Sequence, residues 1–319
     1  MGGFLDFCAR HGRMALIAGL VAGVSLGLVA PELAQASRVV IAPMVVLLLF
    51  LAVLRLGPEG VRAGLRGIGR ALGVTLALQL ALPVAAALSF LAFGWQGAAA
   101  LGIVLMLSAA PITGSPNIAI MSGGDPVPAL RQLVLGTALL PVTVIPVFAL
   151  MPAFGDPAQV AAIVLRLLAV IALAGGLALL LRLKGVVPGD DRALRRMDGL
   201  AALILGVVVI AIMGAVGPAL REGGTFWALL GLVLVVNFSL QAGTAFIARA
   251  SGSEATVAPL GIVAGNRNIA LFLSVLPAAL ADELLLFIGL YQIPMYLTPL
   301  VMAPFYRWLA GRSPIASRQ

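Results

Sequence analysis

The chain has 319 residues, 62% of them hydrophobic and 10% charged, with a mean hydropathy of +1.14 and a net charge of +8. Soluble domains carry about a quarter charged residues and under half apolar ones, so composition argues against a soluble enzyme, a disordered scaffold and a nucleic-acid binder. The single cysteine, Cys8, rules out an intrachain disulfide and a multi-thiolate metal site, and the lone His11 argues against a protein-only zinc site or a Ser-His-Asp triad.

About 20 mostly apolar residues cross the hydrocarbon of a bilayer as a helix. Ten segments qualify when the chain is cut at charges and turn residues: 13–30, 39–54, 71–93, 97–121, 129–152, 158–181, 197–219, 226–248, 255–280 and 284–306. The second is short, and the fourth and ninth contain internal breaks. The connections leave no room for a separate soluble domain.

With a cytoplasmic N-terminus, sixteen basic residues fall inside: Arg10, Arg13, Arg55, Arg62, Arg66, Arg70, Arg131, Arg182, Lys184, Arg192, Arg195, Arg196, Arg249, Arg307, Arg312 and Arg318. Only Arg38 and Arg221 fall outside, while Arg166 and Arg267 stay within spans. This bias predicts an integral membrane protein with both termini cytoplasmic, fitting a bacterial inner membrane. The net charge then needs no acidic partner, and neither nucleic acid nor an obligate protein partner is implied. Arg10, Arg13 and Ala34-Gln35-Ala36-Ser37 also have the form of a signal peptide, but the apolar run from Met14 to Ala30 exceeds the usual core of about 7–15 residues, so it is read as the first span.

Ten spans divide into five and five, and the two halves echo each other. The fourth span carries Pro111-Ile112-Thr113-Gly114-Ser115-Pro116-Asn117-Ile118-Ala119, and the ninth carries Gly265-Asn266-Arg267-Asn268-Ile269-Ala270. Five spans per half place the copies in opposite orientations, an inverted repeat of 1–155 and 156–319. Pro111, Pro116 and Gly114 forbid a regular helix through the fourth span. Unwound backbone at mid-membrane depth persists only when buried in protein or lining a wet cavity. Two broken helices there would offer backbone groups and half-helix dipoles to a solute or ion. Proline kinks and interhelical amide bonds are the plainer alternative for each feature alone; their paired placement favours a binding site.

These residues resemble the bile acid:sodium symporter family. The likeness runs over most of the chain, because Gln79 and Pro83 of the third span also match the family's glutamine and proline. It implies an all-α membrane protein of ten transmembrane helices in two inverted five-helix repeats. The broken helices 4 and 9 would cross in a core domain beside a panel domain, and alternating access would move an organic anion with sodium. Gln79, Asn117 and Asn268 match the family's sodium-site pattern. Val263, however, stands where sodium-using members carry a glutamate, Ala129 and Leu133 stand at expected hydroxyl positions, and Arg267 replaces a glutamine.

An intramembrane arginine is costly and normally meets a cavity or a partner. No carboxylate lies mid-span, so Arg267 is read as a tethered cation that braces the crossover through carbonyls and presents donors to an anionic substrate. The alternative is a brace that never meets substrate. The candidate substrate-binding set is Arg267, Asn117, Asn268, Thr113, Ser115, Asn266, Gln79 and Gln292, with no catalytic residue, no cofactor and an unsettled role for sodium. Asn237 and Gln241 share one face of the eighth span at i and i+4. Tyr291 and Tyr296 are further lining candidates, Arg166 a snorkelling residue, and Arg62, Arg66 and Arg70 a lipid-facing anchor.

The expected activity is therefore secondary active or facilitative transport of a bile-acid-like or small organic anion, independent of sodium. The alternative is a sodium-coupled symporter of the same family. An arsenite carrier would be expected to place a cysteine in the fourth span, where this chain has none. An intramembrane enzyme fits less well, because Asp190-Asp191 lacks a second acidic cluster and the spans hold no paired Ser-His, metal site or acidic dyad, and the lack of a P-loop argues against direct ATP drive. A channel would use the polar midplane residues but not the paired breaks.

Overall fold

The computed structural model describes residues 2–311. Among them the chain is helical with no β-strand, and seven helices are long and apolar enough to cross a membrane. The protein is an all-α membrane protein. The long helices are Pro31–Gly64, Ile68–Ala92, Pro126–Leu150, Pro157–Leu183, Asp191–Glu222, Gly224–Ala250 and Ala278–Leu309. Shorter apolar helices, Ile17–Val29, Ala98–Ser108 and Glu254–Gly265, fall within or close to the first, fourth and ninth expected segments. Arg312 and Arg318, counted above with the inside residues, lie outside the described residues.

Two boundaries differ most from expectation. The second segment runs on as Ile41–Gly64 across a break at Gly57 (φ 65°), where Pro58 restarts the helix. The ninth does not reach residue 280: a 3-10 stretch Ile269–Ser274 ends it, and Pro277 opens the last helix at Ala278, its carbonyl accepting from Ala281 N at 2.9 Å.

The chain forms two compact units that interleave along the sequence, each drawing on both halves. The first comprises the chain up to Arg62, Gly155–Ala228 and Ala270–Gly289. It holds α1 (Gly2–Arg10), α2 (Gly12–Val29), α3 (Pro31–Ala36), most of α4 (Ile41–Gly64), and later in the chain α10 (Pro157–Leu183), α11 (Asp191–Met213) and α12 (Val216–Glu222). Gly19, Gly23 and Gly27 line one face of α2 at four-residue spacing and let α11 approach backbone to backbone. A Cβ at Gly23 would lie 2.6 Å from the Ile210 carbonyl and 2.6 Å from Met213 Cβ. Small residues at this spacing bring membrane helices together where no hydrophobic drive separates lipid from protein. Asp156 and Asp190 cap α10 and α11, accepting from Gln159 N and Ala193 N. Arg55 pairs with Asp198 at two ends expected inside. Arg38 pairs with Asp282 at 3.0 Å, and Arg221 donates to the Leu28 carbonyl, at ends expected outside. Each bond joins ends that the arginine distribution assigns to one side.

The second unit comprises Ala63–Phe154, Leu229–Ile269 and the chain from Leu290. It holds α5 (Ile68–Leu76), α6 (Leu82–Ala92), α7 (Ala98–Ser108), α8 (Ser115–Met121), α9 (Pro126–Leu150), most of α13 (Gly224–Ala250), α14 (Val257–Gly265) and the later part of α15 (Ala278–Leu309). Helices α5 and α9 are zipped by side chains. Gln132 accepts from Thr75 and donates to the Ala71 carbonyl, each at 2.9 Å, and Gln79 donates to the Gly136 carbonyl and to Thr143 Oγ1, each at 2.9 Å. Gly136 makes room for this, since a Cβ there would lie 2.8 Å from both Gln79 Oε1 and Pro111 Cδ.

Candidate functional site

Three backbone irregularities in the second unit each leave a carbonyl without its helical donor. Between α5 and α6 the chain makes one π-helical turn, Ala77–Ala81. Pro83 has no N–H and would clash with the carbonyl four residues back, and the extra residue relieves that clash. Leu82 N then bonds Ala77 O, and the π-type partner of Leu78 O would be Pro83, which has nothing to donate. Helix α7 stops at Ser108, where Ala109 turns extended (ψ 151°); Pro111 has no N–H for the Leu107 carbonyl and cannot continue the helix, and Ala109 O is left without a helical donor. Helix α14 stops at Gly265, and Asn268 N, the helical partner of Ala264 O, bonds Ala110 O at 2.8 Å instead.

Arg267 takes all three carbonyls. Its Nε donates to Ala264 O at 3.0 Å, Nη1 to Ala109 O at 3.1 Å and Nη2 to Leu78 O at 3.2 Å, and the residue is 2% exposed. Orphaned backbone groups buried away from water cost several kcal/mol each, and a planar, permanently charged fork can satisfy three at once. The two breaks also pair with each other: Ile112 N donates to Asn266 O at 3.0 Å, flanking an antiparallel bridge of Pro111 with Arg267.

The other side of the ninth break is held by α13 and α15. Tyr291 accepts from Arg267 N at 2.9 Å and donates to the Gly265 carbonyl, which also accepts from Asn237 Nδ2. Gln241 donates to Asn237 Oδ1 and, at 3.0 Å, to Thr298, accepts from Tyr306 at 2.7 Å, and Thr298 reaches Asn266 Oδ1 at 3.1 Å. A buried polar chain thus runs from Tyr306 to the crossover.

The expected site residues fall into two sets. Arg267, Asn266, Gln79, Gln292 and Ser115 are buried; Ser115 Oγ donates to its own segment's Ile112 O. Thr113, in the fourth break, and Asn117, in α8, are exposed, and Asn268 is half-buried. Arg166 is exposed on α10. Residues not anticipated are Thr75, Gln132, Thr143, Thr298 and Tyr306. A signal for two of them was present, since Tyr291, Thr298 and Tyr306 recur every seven to eight residues, one face of an apolar helix.

Three of the positions where the family resemblance implies sodium ligands, Val263, Ala129 and Leu133, carry no side-chain oxygen. Val263 and Ala129 are fully buried in one apolar cluster with Ala119, Ile262 and Met302. Leu133 is half-buried and aliphatic. Among the described residues no group of three or more His, Cys, Asp or Glu is placed to hold a metal ion. No family model matches the chain and no curated protein matches it.

Proposed function

We propose that the chain is a secondary transporter of the bile acid:sodium symporter type that moves an organic anion by alternating access. In this reading it crosses a bacterial inner membrane ten times as two inverted repeats, 1–155 and 156–319, with both ends inside. The observation that carries the proposal is the three-carbonyl hold of Arg267 on two crossing helix breaks. Backbone oxygens converging on a positive group are what a coupling cation would otherwise hold. A tethered guanidinium makes that charge permanent, and the aliphatic Val263, Ala129 and Leu133 remove the side-chain ligands a sodium ion would need. Transport is then facilitative or exchange-driven. Arg267 acts as a positioning residue, and the accessible Thr113, Asn117 and Asn268 supply neutral donors to the substrate.

A sodium-coupled symporter is the second reading, favoured by Gln79 Oε1, a buried acceptor with no donor. Uptake of a labelled bile salt, a short carboxylate and a short sulfonate into proteoliposomes separates the two. Uptake that persists when choline replaces sodium supports the proposal, and a steep dependence on sodium overturns it.

A further inference from the structure

The inner end of the α5–α9 zipper carries three arginines that make no ion pair among the described residues. The bond of Gln132 Nε2 to the Ala71 carbonyl, 2.9 Å, sets residues 71 and 132 side by side, and the residue preceding each is an arginine, Arg70 and Arg131. The Arg131 guanidinium lies against Gly67, 3.8 Å from where a Cβ would stand, next in sequence to Arg66. Arg66 and Arg70 are exposed; Arg131 is half-buried, its Nε enclosed and without a partner. Arg70 reaches Ser251 Oγ at 3.3 Å, a neutral group.

Three other arginines meet carboxylates, Arg38 with Asp282, Arg55 with Asp198 and, close to Ser251, Arg249 with Glu254. No Asp or Glu occurs between Glu59 and Asp125, so this stretch brings no counter-charge of its own. The patch also sits at the start of an apolar 25-residue helix, the level at which a chain leaves hydrocarbon for headgroups. Leu65 and Ile68, 39% and 41% exposed, interleave with the arginines.

We infer that Arg66, Arg70 and Arg131 form a docking surface for an anionic phospholipid, its phosphate bridging the guanidiniums of Arg70 and Arg131 and its acyl chains running over Leu65 and Ile68. Guanidiniums bind phosphate oxygens in pairs, and the neighbouring apolar side chains select a lipid over a free phosphate. The bound headgroup closes the open end of the helix pair whose deeper turns carry Gln79 and the Leu78 carbonyl. The inference is independent of the transport reading.

Native mass spectrometry of the full chain in neutral detergent tests it, with phosphatidylglycerol, phosphatidylcholine or glycerol phosphate added. Wild type is expected to retain phosphatidylglycerol over phosphatidylcholine. R70Q and R131Q should each lose roughly fivefold in retention, and the double variant roughly twenty-five-fold, while R195Q/R196Q retains it as wild type does. The single variants carry the test if the double variant fails to fold. Equal retention by R70Q, R131Q and wild type overturns the inference. So does equal loss in R195Q/R196Q, or displacement of the lipid by glycerol phosphate at equal concentration.

Discussion

Arg267 and Pro111 face each other across an isolated antiparallel bridge. The bonds that frame them, Ile112 N to Asn266 O and Asn268 N to Ala110 O, belong to the neighbouring residues, so this is the non-hydrogen-bonded kind of pair. A proline there forfeits nothing, because its missing N–H would have had no partner in the ladder. The Arg267 N–H likewise points out of the pair, to Tyr291. The backbone of the two breaks is thus satisfied by pairing, and the guanidinium is left for the three carbonyls that pairing cannot reach.

Replacing Arg267 tests that division of labour. Arg267→Ala leaves the carbonyls of Leu78, Ala109 and Ala264 without their donors, and a loss of about 3–5 kcal/mol or more is expected, at about 1–3 kcal/mol for each buried acceptor left unpaired. Arg267→Lys keeps the charge but cannot span three carbonyls and should fall between. Thermal unfolding in detergent reads both. Millimolar methylguanidinium should restore part of the loss in the alanine variant and none in wild type; no rescue would mean that the cavity closes rather than keeping a guanidinium-shaped place.

A second expectation concerns the glycine face of α2. At Gly23 a larger side chain meets the backbone carbonyl of Ile210, which cannot rotate away, so Gly23→Leu should destabilise by about 1–3 kcal/mol or more. Gly206, on the partner helix with open space where a Cβ would stand, is the control: Gly206→Ala should be neutral or slightly stabilising, since it removes backbone freedom from the unfolded chain. Equal melting shifts would refute close packing as the role of the glycine face.

Much of this was legible beforehand, for identifiable reasons. Apolar runs mark membrane helices because the bilayer demands them, and Pro111 with Gly114, and the Gly265–Asn268 cluster, mark breaks because proline lacks a helical donor and glycine and asparagine favour helix ends over interiors. The partners of Arg267 were not legible. They are backbone carbonyls, which every residue has, and they become available only through a π turn set by Pro83 and two helix ends. The glycine face of α2 was equally hidden, because Gly19, Gly23 and Gly27 sit in a segment whose hydropathy alone already accounted for it. Thr298 and Tyr306 carry a periodic signal that hydropathy windows average away.

The polar chain from Tyr306 to Asn266 should act as a unit. Tyr306→Phe removes the donor to Gln241 Oε1 and leaves a buried amide oxygen unpaired, with an expected loss of about 1–3 kcal/mol. Thr298→Val removes the link to Asn266 and should cost a similar amount. Because both act through Gln241, the double variant should lose less than the sum of the two, whereas independent sites would add within about 0.5 kcal/mol.

The last expectation separates binding from bracing. Thr113 and Asn117 are exposed, and Ser115 between them is buried on its own backbone. Alanine at 113 or 117 should therefore change stability by no more than about 0.5 kcal/mol, the usual range for surface positions. If these two side chains meet the anion, the same variants should raise the KM for uptake with little change in the maximal rate, because a neutral donor to bound substrate contributes uniform binding. Arg267→Lys, acting through the position of both breaks, should instead lower the maximal rate along with stability. Uptake kinetics on the folded variants distinguish the patterns: an unchanged KM in Thr113→Ala and Asn117→Ala would remove both from the substrate's path and return the role of anion contact to the half-buried Asn268.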